Sequence, residues 1–210
     1  MPTVRPGSLV SEHPDVGGRL APAGERQRAR LLDAVARVVA QKGYAASTVA
    51  DIVRAAGVSR STFYEQFEGK EACFLEAYRH GVDVLVDRVR AAVRASGPAD
   101  WRAQLRAGIR TWLETLDAEP QFARTYLLEI ATAGPAAQQA HADALRRSAE
   151  RYAATAEHAG HRPGLDVLMI VCAGTEQVAA DRIRTGRSDE LLDLVDPFCA
   201  CVEAVIEGTG

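Results

Sequence analysis

The sequence has no run of 18 apolar residues, so no segment is expected to cross a membrane as a helix. The first residues include arginine and proline but no apolar stretch of the kind that a secretory signal requires, and we therefore expect a cytoplasmic protein. Lysine is scarce, and the chain has two, Lys42 and Lys70. With 47% hydrophobic and 25% charged residues, the composition is otherwise that of an ordinary folded protein.

Cysteine and histidine are too few and too scattered to indicate a metal centre or an active site. The four cysteines, Cys73, Cys172, Cys199 and Cys201, lack the C-x-x-C spacing of a zinc site. The five histidines form no H-E-x-x-H pattern, and neither G-x-S-x-G nor a phosphate-binding P-loop is present. We predict no metal, no cofactor and no catalytic residue, which disfavours an enzyme.

The net charge of −3 conceals an uneven distribution along the chain. Residues 1–70 carry ten Lys and Arg against seven Asp and Glu, whereas residues 71–210 carry fifteen against twenty-one. The amino-terminal third is thus positive and the remainder negative. A small positive excess gives modest support to a phosphate-bearing partner for the first third.

Helical periodicity covers most of the chain. Residues 1–24 have four prolines, four glycines and no hydrophobic period, which predicts a disordered tail. From Glu25 onward the period is helical, and the absence of strand-like alternation predicts an all-α fold of about nine helices. The predicted helices cover about 25–42, 48–56, 59–66, 70–95, 100–117, 120–132, 136–158, 165–185 and 191–205.

The second and third predicted helices are short and closely spaced. Thr48 and Asp51 have the spacing of a capping box, Gly57 suits a tight turn, and Ser59 can cap the helix that follows. Two short helices joined by a turn that contains glycine form a helix-turn-helix. The long helix from about Lys70 then connects this domain to a second helical bundle.

The stretch AGVSRSTFYEQF, residues 56–67, separates into two faces if it is helical. Val58, Phe63 and Phe67 would face inward, and the polar side chains would face outward. A helix in the major groove needs small polar and basic side chains, because large branched aliphatic ones would block its entry. Arg60 can donate two hydrogen bonds to guanine, and the neighbouring hydroxyls can bond to bases or phosphates.

The segment GYAASTVADIVRAAGVSRSTFYEQFEGKEACFLEAY, residues 43–78, resembles the amino-terminal signature of the TetR/AcrR family of transcriptional regulators. Ser61 stands where the family commonly has glycine, and Gln66 where it often has histidine. The resemblance implies a homodimer with a DNA-binding domain, residues 25–70, and an effector-binding and dimerisation domain, residues 71–210. The DNA contacts that we expect are Tyr44, Thr48, Ser59, Arg60, Ser61, Thr62, Tyr64, Gln66 and Lys70.

The resemblance also implies a ligand-responsive protein, usually a repressor, that a small molecule releases from a palindromic operator. The candidate effector contacts are Trp112, Phe122, Tyr126, Glu129, Glu176 and Gln177. The dimer contacts that we expect come from the apolar stretch LDVLMIVC and from the heptad spacing of the last segment: Leu168, Val171, Leu191, Val195, Phe198, Val202 and Val205. These side chains could instead close the core of a single chain.

Three further expectations stay open at the level of sequence. Pro197 should kink the last segment or begin a new helix capped by Asp196. A redox-sensing or metal-sensing regulator of the same fold would rely on Cys172 or on the pair Cys199 and Cys201. A helical lipid- or drug-binding protein without a role on DNA would show no salt-dependent affinity for a duplex.

Overall fold

A computed structural model describes residues 22–97, 100–158 and 160–208. These ranges contain nine α-helices and no strand, which confirms the predicted all-α fold. No helix within them is long and apolar enough to span a membrane. The helices are α1 (Ala23–Lys42), α2 (Val49–Ala56), α3 (Arg60–Gln66), α4 (Lys70–Ala95), α5 (Trp101–Ala118), α6 (Pro120–Arg124), α7 (Pro135–His158), α8 (Leu165–Arg184) and α9 (Val195–Glu207).

The predicted tail, residues 1–24, lies outside the described residues except for its last three positions. Pro22 precedes α1, and Ala23 is already the first helical residue. A proline at this position leaves no orphan backbone donor of its own, because it has no N–H group.

The segment that follows α6 differs from the continuous helix predicted over 120–132. A π-helical turn, Thr125–Glu129, succeeds α6, and a 3₁₀ turn, Ile130–Thr132, succeeds the π turn. The wide turn is closed by the Ile130 amide, which donates to the carbonyl of Thr125. Side-chain periodicity cannot distinguish such a local widening from a regular helix, since it alters a single turn.

The last segment begins with two 3₁₀ turns, Ser188–Glu190 and Leu192–Leu194, and becomes α-helical at Val195. Pro197 lies in the first turn of α9, where backbone N–H groups lack helical partners in any case. The expected new helix start is therefore present. The cap is not Asp196, however: Leu194 precedes the helix without a side-chain hydrogen bond, and the Asp196 carboxylate pairs with Arg106 of α5.

The described chain divides into two compact units. The first unit comprises residues 22–84 and 118–138, and the second unit comprises residues 85–117 and 139–208. The three helices of the predicted DNA-binding domain lie in the first unit together with the amino-terminal half of α4, α6 and the π turn. This unit extends past the boundary predicted at residue 70.

The core of the first unit is formed by apolar faces with helical spacing. Leu31 and Val35 of α1, Ile52 of α2, Phe63 of α3 and Phe74 of α4 are fully buried. The helices α2 and α3 have eight and seven residues, which is too short for independent stability in water. Their apolar side chains therefore hold them in place.

In the second unit, α8 is two-sided, although the stretch LDVLMIVC predicts burial on all sides. Leu168 and Cys172 are buried against Ala149 of α7. Ile170 points to the opposite side of the helix and is 71% exposed. Part of the apolar surface of α8 is therefore left uncovered in the single chain.

The heptad seam of the last segment builds the core of the second unit. Six of the seven expected dimer contacts are buried within one chain, and Val205 is partly buried against the cluster around Leu168. A side chain enclosed by its own chain is not available to a second copy. The six buried residues are Leu168, Val171, Leu191, Val195, Phe198 and Val202.

Candidate nucleic-acid interface

The helix-turn-helix is formed by α2, a turn at Gly57 and Val58, and α3. Gly57 adopts a left-handed conformation with φ of 61°, which costs little for a residue without Cβ. The Val58 amide donates to the carbonyl of Val53 at 3.1 Å and closes the end of α2. On α3, Phe63 is fully buried and Phe67 nearly so, and this fixes which face of α3 points outward.

The outward face of α3 begins with a network of hydroxyl groups. The Ser59 hydroxyl accepts a hydrogen bond from the Thr62 amide at 3.0 Å and so caps the helix. The same oxygen lies 2.7 Å from the Ser61 hydroxyl and 2.8 Å from that of Thr62. Ser59 is committed to the cap, whereas the exposed Ser61 retains bonding capacity for an outside partner.

Arg60 and Tyr64 lie one turn apart on the same face of α3. A terminal nitrogen of Arg60 approaches the Tyr64 hydroxyl at 3.5 Å, and the guanidinium carbon lies 5.7 Å from the ring centroid. Both side chains are exposed, Tyr64 by 48%. The contact with the ring leaves the guanidinium exposed, so its donors remain available to a partner outside the protein.

Thr48 begins α2 with the predicted capping box. Its hydroxyl accepts from the Asp51 amide at 3.2 Å, while the Asp51 carboxylate accepts from the Thr48 amide at 3.2 Å. Hydrogen bonds from Lys42 and then Thr48 lower the pKa of Asp51 to about 2. Because the folded-state pKa is depressed, this link is present at neutral pH and is lost only as the pH falls towards 2.

We expect Thr48→Ala to lower the free energy of unfolding by about 1 kcal/mol, because the cap is removed. Thr48→Ser retains the capping oxygen and should unfold like the wild type. Urea unfolding of the three proteins measures the difference. Equal stability of Thr48→Ala and the wild type would contradict the capping role.

The ammonium group of Lys70 already makes hydrogen bonds within the protein, which bears on its expected contact with DNA. Its ammonium group donates to the carbonyls of Tyr44 and Ser47 at 2.7 and 2.9 Å. The nitrogen lies 4.1 Å from the centroid of the Tyr44 ring, and that ring packs on Phe74 at 4.9 Å. Two of the three ammonium donors are thus used to hold the turn between α1 and α2.

Gln66 is also held by contacts inside the first unit. Its backbone carbonyl and its side-chain oxygen accept from Arg28 at 3.0 and 3.3 Å. The Arg28 guanidinium also pairs with Glu76 and lies 4.5 Å from the Phe67 centroid. Among the expected DNA contacts, Gln66 and Lys70 therefore have polar groups that already serve the fold, as do the capping hydroxyls of Thr48 and Ser59.

Two arginines of α1 have a role that the sequence did not indicate. Arg30 donates to the carbonyls of Ala56 and Gly57 at 2.9 and 2.6 Å, and Arg28 donates to that of Gln66. These carbonyls lie at the carboxyl ends of α2 and α3, where the helix dipole is negative and favours a cation. The cluster of arginines between residues 26 and 30 is the sequence feature that could have indicated this role.

The candidate effector residues are divided between the two units. In the first unit, the Tyr126 ring stacks on Tyr78 and Phe122 at centroid distances of 5.9 and 5.3 Å. The Glu129 carboxylate accepts a hydrogen bond from the Tyr44 amide at 2.9 Å.

The other three candidates lie in the second unit. Trp112 packs against Phe198 at 6.2 Å, and Glu176 lies 3.3 Å from a ring nitrogen of His141. Gln177 is on the exposed side of α8. Effector contact by all six residues stays a prediction.

The cysteines provide little support for thiol chemistry. Burial raises the pKa values of the Cys73 and Cys172 thiols to about 12, so both are protonated and weakly nucleophilic at neutral pH. Burial also raises the pKa of Cys199, while Cys201 is exposed on α9. In the parts of the chain that are described, no three His, Cys, Asp or Glu side chains converge as a metal site would require.

Comparison with known proteins places this helix-turn-helix in a family. Residues 31–77 match the family model for bacterial regulatory proteins of the tetR family. The chain is 38% identical over 104 residues to the transcriptional repressor KstR2 of Rhodococcus jostii, and the match covers 50% of each protein. It is 35% identical over 105 residues to the transcriptional activator FasR of Mycolicibacterium smegmatis, covering 50% of this chain and 46% of that one. The matched region thus spans about half the length of these relatives.

Solved structures share the fold over nearly the whole length. The fatty acid degradation regulator FadR of Bacillus halodurans superposes with a TM-score of 0.73 at 19% identity, covering 88% of this chain and 96% of that one. FadR of Bacillus subtilis, in complex with stearoyl-CoA, gives a TM-score of 0.72 at 18% identity, with 86% and 98% covered. The matched signature and the shared helical architecture lead to one conclusion: residues 31–77 are a tetR-family regulatory domain, and the chain that carries it has the helical fold of these solved structures.

Proposed function

We propose that the chain is a cytoplasmic transcriptional repressor that binds a palindromic operator as a homodimer and leaves it when a small molecule binds residues 71–210. One observation carries the DNA-binding part of this proposal. Phe63 and Phe67 bury one side of α3, and the opposite side presents Arg60, Ser61 and Tyr64 to solvent. That surface has the donors and the small side chains that groove entry requires.

The test of DNA reading uses two arginines of neighbouring helices. Arg60→Ala should reduce discrimination at one base pair by about 1 to 3 kcal/mol, since the variant cannot make a bidentate contact to guanine. Arg54, 79% exposed on α2, provides the matched control. Arg54→Ala removes the same charge and should weaken binding to all duplexes alike.

Fluorescence anisotropy with the operator and with single-base variants, each at several salt concentrations, measures both effects. Specificity that is unchanged in Arg60→Ala would exclude Arg60 as a base contact. A wild type that shows no salt-dependent binding to any duplex would exclude the proposed DNA binding and favour a helical ligand-binding protein.

The homodimer part of the proposal is supported by the uncovered face of α8. Val167, Ile170 and Val178 are the exposed large apolar residues on this helix, and Ala173 and Gly174 lie exposed between them. None of these five is charged. Small residues between large ones allow a second helix to approach closely, and an apolar face of this length is costly to leave in water. The interface that we propose is therefore this outer face and not the buried seam.

The outer side of α9 has a similar character. Pro197, Ala200, Cys201 and Ala204 are exposed along it, and none is large or charged. In a symmetric dimer the same patch of both copies meets itself, so a smooth apolar surface on α8 and α9 suits this role.

The effector part of the proposal rests on the fold shared with ligand-binding relatives. The Bacillus subtilis FadR structure contains stearoyl-CoA, which makes long-chain acyl thioesters the first compounds to assay. Titration of operator-bound protein with acyl-CoA of graded chain length, and with free coenzyme A as control, measures release. Retention of the operator at saturating acyl-CoA would direct the search to other compounds.

A further inference from the structure

Glu129 is a nearly buried acidic side chain, 8% exposed, at the end of the π turn. One carboxylate oxygen accepts from the Tyr44 amide at 2.9 Å, across 85 residues of sequence. The other lies 3.6 Å from the Nε of Arg124. A carboxylate is costly to bury unless it is hydrogen-bonded, and the Tyr44 amide supplies such a bond.

The turn that receives this bond, residues 43–47, is held from two sides. Glu129 accepts from the Tyr44 amide on one side, and Lys70 donates to the Tyr44 and Ser47 carbonyls on the other. The Ser47 hydroxyl donates to the Gly43 carbonyl at 2.7 Å. Gly43 has φ of 80°, and a Cβ there would come within 3.3 Å of the Glu129 carboxylate. The carboxylate therefore packs directly on the backbone of the turn.

This turn leads directly into Thr48 and α2. Tyr44 is within the turn, and Thr48 follows it as the cap of α2. Both are among the expected DNA contacts. The position of Glu129 consequently sets where these two groups lie relative to the rest of the first unit.

The π turn that bears Glu129 is itself anchored by aromatic packing. Phe122 and Tyr126, on α6 and in the π turn, stack at 5.3 Å, and Tyr126 stacks on Tyr78 of α4. The Phe122 ring packs so closely on Gly81 that a Cβ there would lie 2.6 Å from a ring carbon. The π turn that carries Glu129 is thus packed against α4 by aromatic rings.

We propose that Glu129 is a positioning residue for DNA binding, whose carboxylate holds the turn between α1 and α2 so that Tyr44 and Thr48 meet the phosphate backbone. The inference rests on the proposed DNA-binding function. Glu129 itself does not touch DNA, and as an acidic group it would repel the duplex if it did.

Two conservative variants separate the reach of the side chain from its charge. Glu129→Gln keeps the length and an acceptor oxygen but removes the charge, whereas Glu129→Asp keeps the charge and is one methylene shorter. Because positioning depends on reach, Glu129→Gln should bind the operator within about threefold of the wild type. Glu129→Asp should bind about tenfold more weakly, which corresponds to about 1.4 kcal/mol. Its net charge is that of the wild type, so this weakening cannot come from long-range electrostatics.

Three measurements distinguish positioning from a general loss of stability. The slope of operator affinity against salt should stay that of the wild type in Glu129→Asp, because Tyr44 and Thr48 are uncharged and their hydrogen bonds neutralise no phosphate. Hydrogen exchange of the Tyr44 amide should accelerate in Glu129→Asp and stay slow in Glu129→Gln. Thermal unfolding of each variant gives the accompanying change in stability. Asp117→Asn, at an exposed acidic residue of α5, is the control for removal of one negative charge.

The inference is overturned if Glu129→Asp binds the operator with the affinity of the wild type, whether or not its melting temperature falls. It is also overturned if Glu129→Gln is the weaker binder of the two, since charge and not reach would then be decisive. A wild type that shows no salt-dependent DNA binding refutes the proposed function, and this inference falls with it.

Discussion

Replacing Ile170 with glutamate should convert the proposed dimer to monomers and weaken binding to a palindromic operator by more than about 100-fold. Ile170 is 71% exposed on the apolar outer face of α8, so the charge disturbs no interior of the single chain. In a dimer the same change would place two carboxylates in an apolar contact, where an unpaired charge is strongly unfavourable. Loss of the second DNA-binding domain removes the gain in affinity that linked sites provide, which is typically about 10² to 10⁴.

Sedimentation velocity and anisotropy with full and half operators provide the measurements for Ile170→Glu. Affinity for a half operator should be retained, because Ile170 lies in the second unit and α3 in the first. Ile170→Leu preserves the apolar surface and should stay dimeric. A dimer that persists in Ile170→Glu would move the proposed interface away from this face.

Replacing Phe63 with alanine should lower the free energy of unfolding of the first unit by about 3 to 5 kcal/mol. Phe63 is fully buried, and its ring lies 5.3 Å from that of Tyr64 and 5.8 Å from that of Phe67. Because α3 has seven residues, it has little stability apart from these contacts. Without the ring, the face that carries Arg60 should lose its fixed position, and operator binding should fail.

The neighbouring aromatic residue supplies a matched control for Phe63→Ala. Tyr64 is 48% exposed, so Tyr64→Ala should alter stability by no more than about 0.5 kcal/mol and yet weaken DNA binding. Chemical unfolding monitored by circular dichroism, with operator affinity measured on the same samples, compares the two. Comparable destabilisation by both substitutions would contradict the opposite orientations of these side chains.

The helices of this protein could be predicted from sequence because their signals are local. The Thr48 cap, the turn at Gly57 and the apolar spacing of α1 and α4 all act within a few residues, and each predicted feature is present. The π turn, Thr125–Glu129, was not predictable in this way, since a widened turn keeps a composition that suits a regular helix.

The parts of the site that could not be predicted depend on contacts between distant segments. Lys70 has the residue type and place of a phosphate contact, but the carbonyls of Tyr44 and Ser47 are within its reach. Asp196 has the position of a cap, yet Arg106 of α5 takes its carboxylate. Residue type and spacing show which partners are possible, and the tertiary fold selects among them.

The heptad spacing of the last segment shows that sequence-based prediction of burial is limited in the same way. Heptad spacing identifies a face that must be covered, but it does not say whether the cover is the same chain or another one. Val202 and Phe198 are buried within the second unit, and the uncovered surface lies on the other side of α8. The period located the buried face correctly and left its partner undetermined.

The first unit is built from two separate segments of the chain, and this has a practical consequence for engineered sensors. Hybrid regulators are built by joining the DNA-binding part of one protein to the ligand-binding part of another, and the sequence alone would suggest a cut near residue 70. Such a graft would leave behind residues 118–138, and with them the acceptor for the Tyr44 amide and the ring that packs on Gly81. A working hybrid of this protein should therefore transplant both pieces of chain together, with the recipient's own sequence resuming after residue 138.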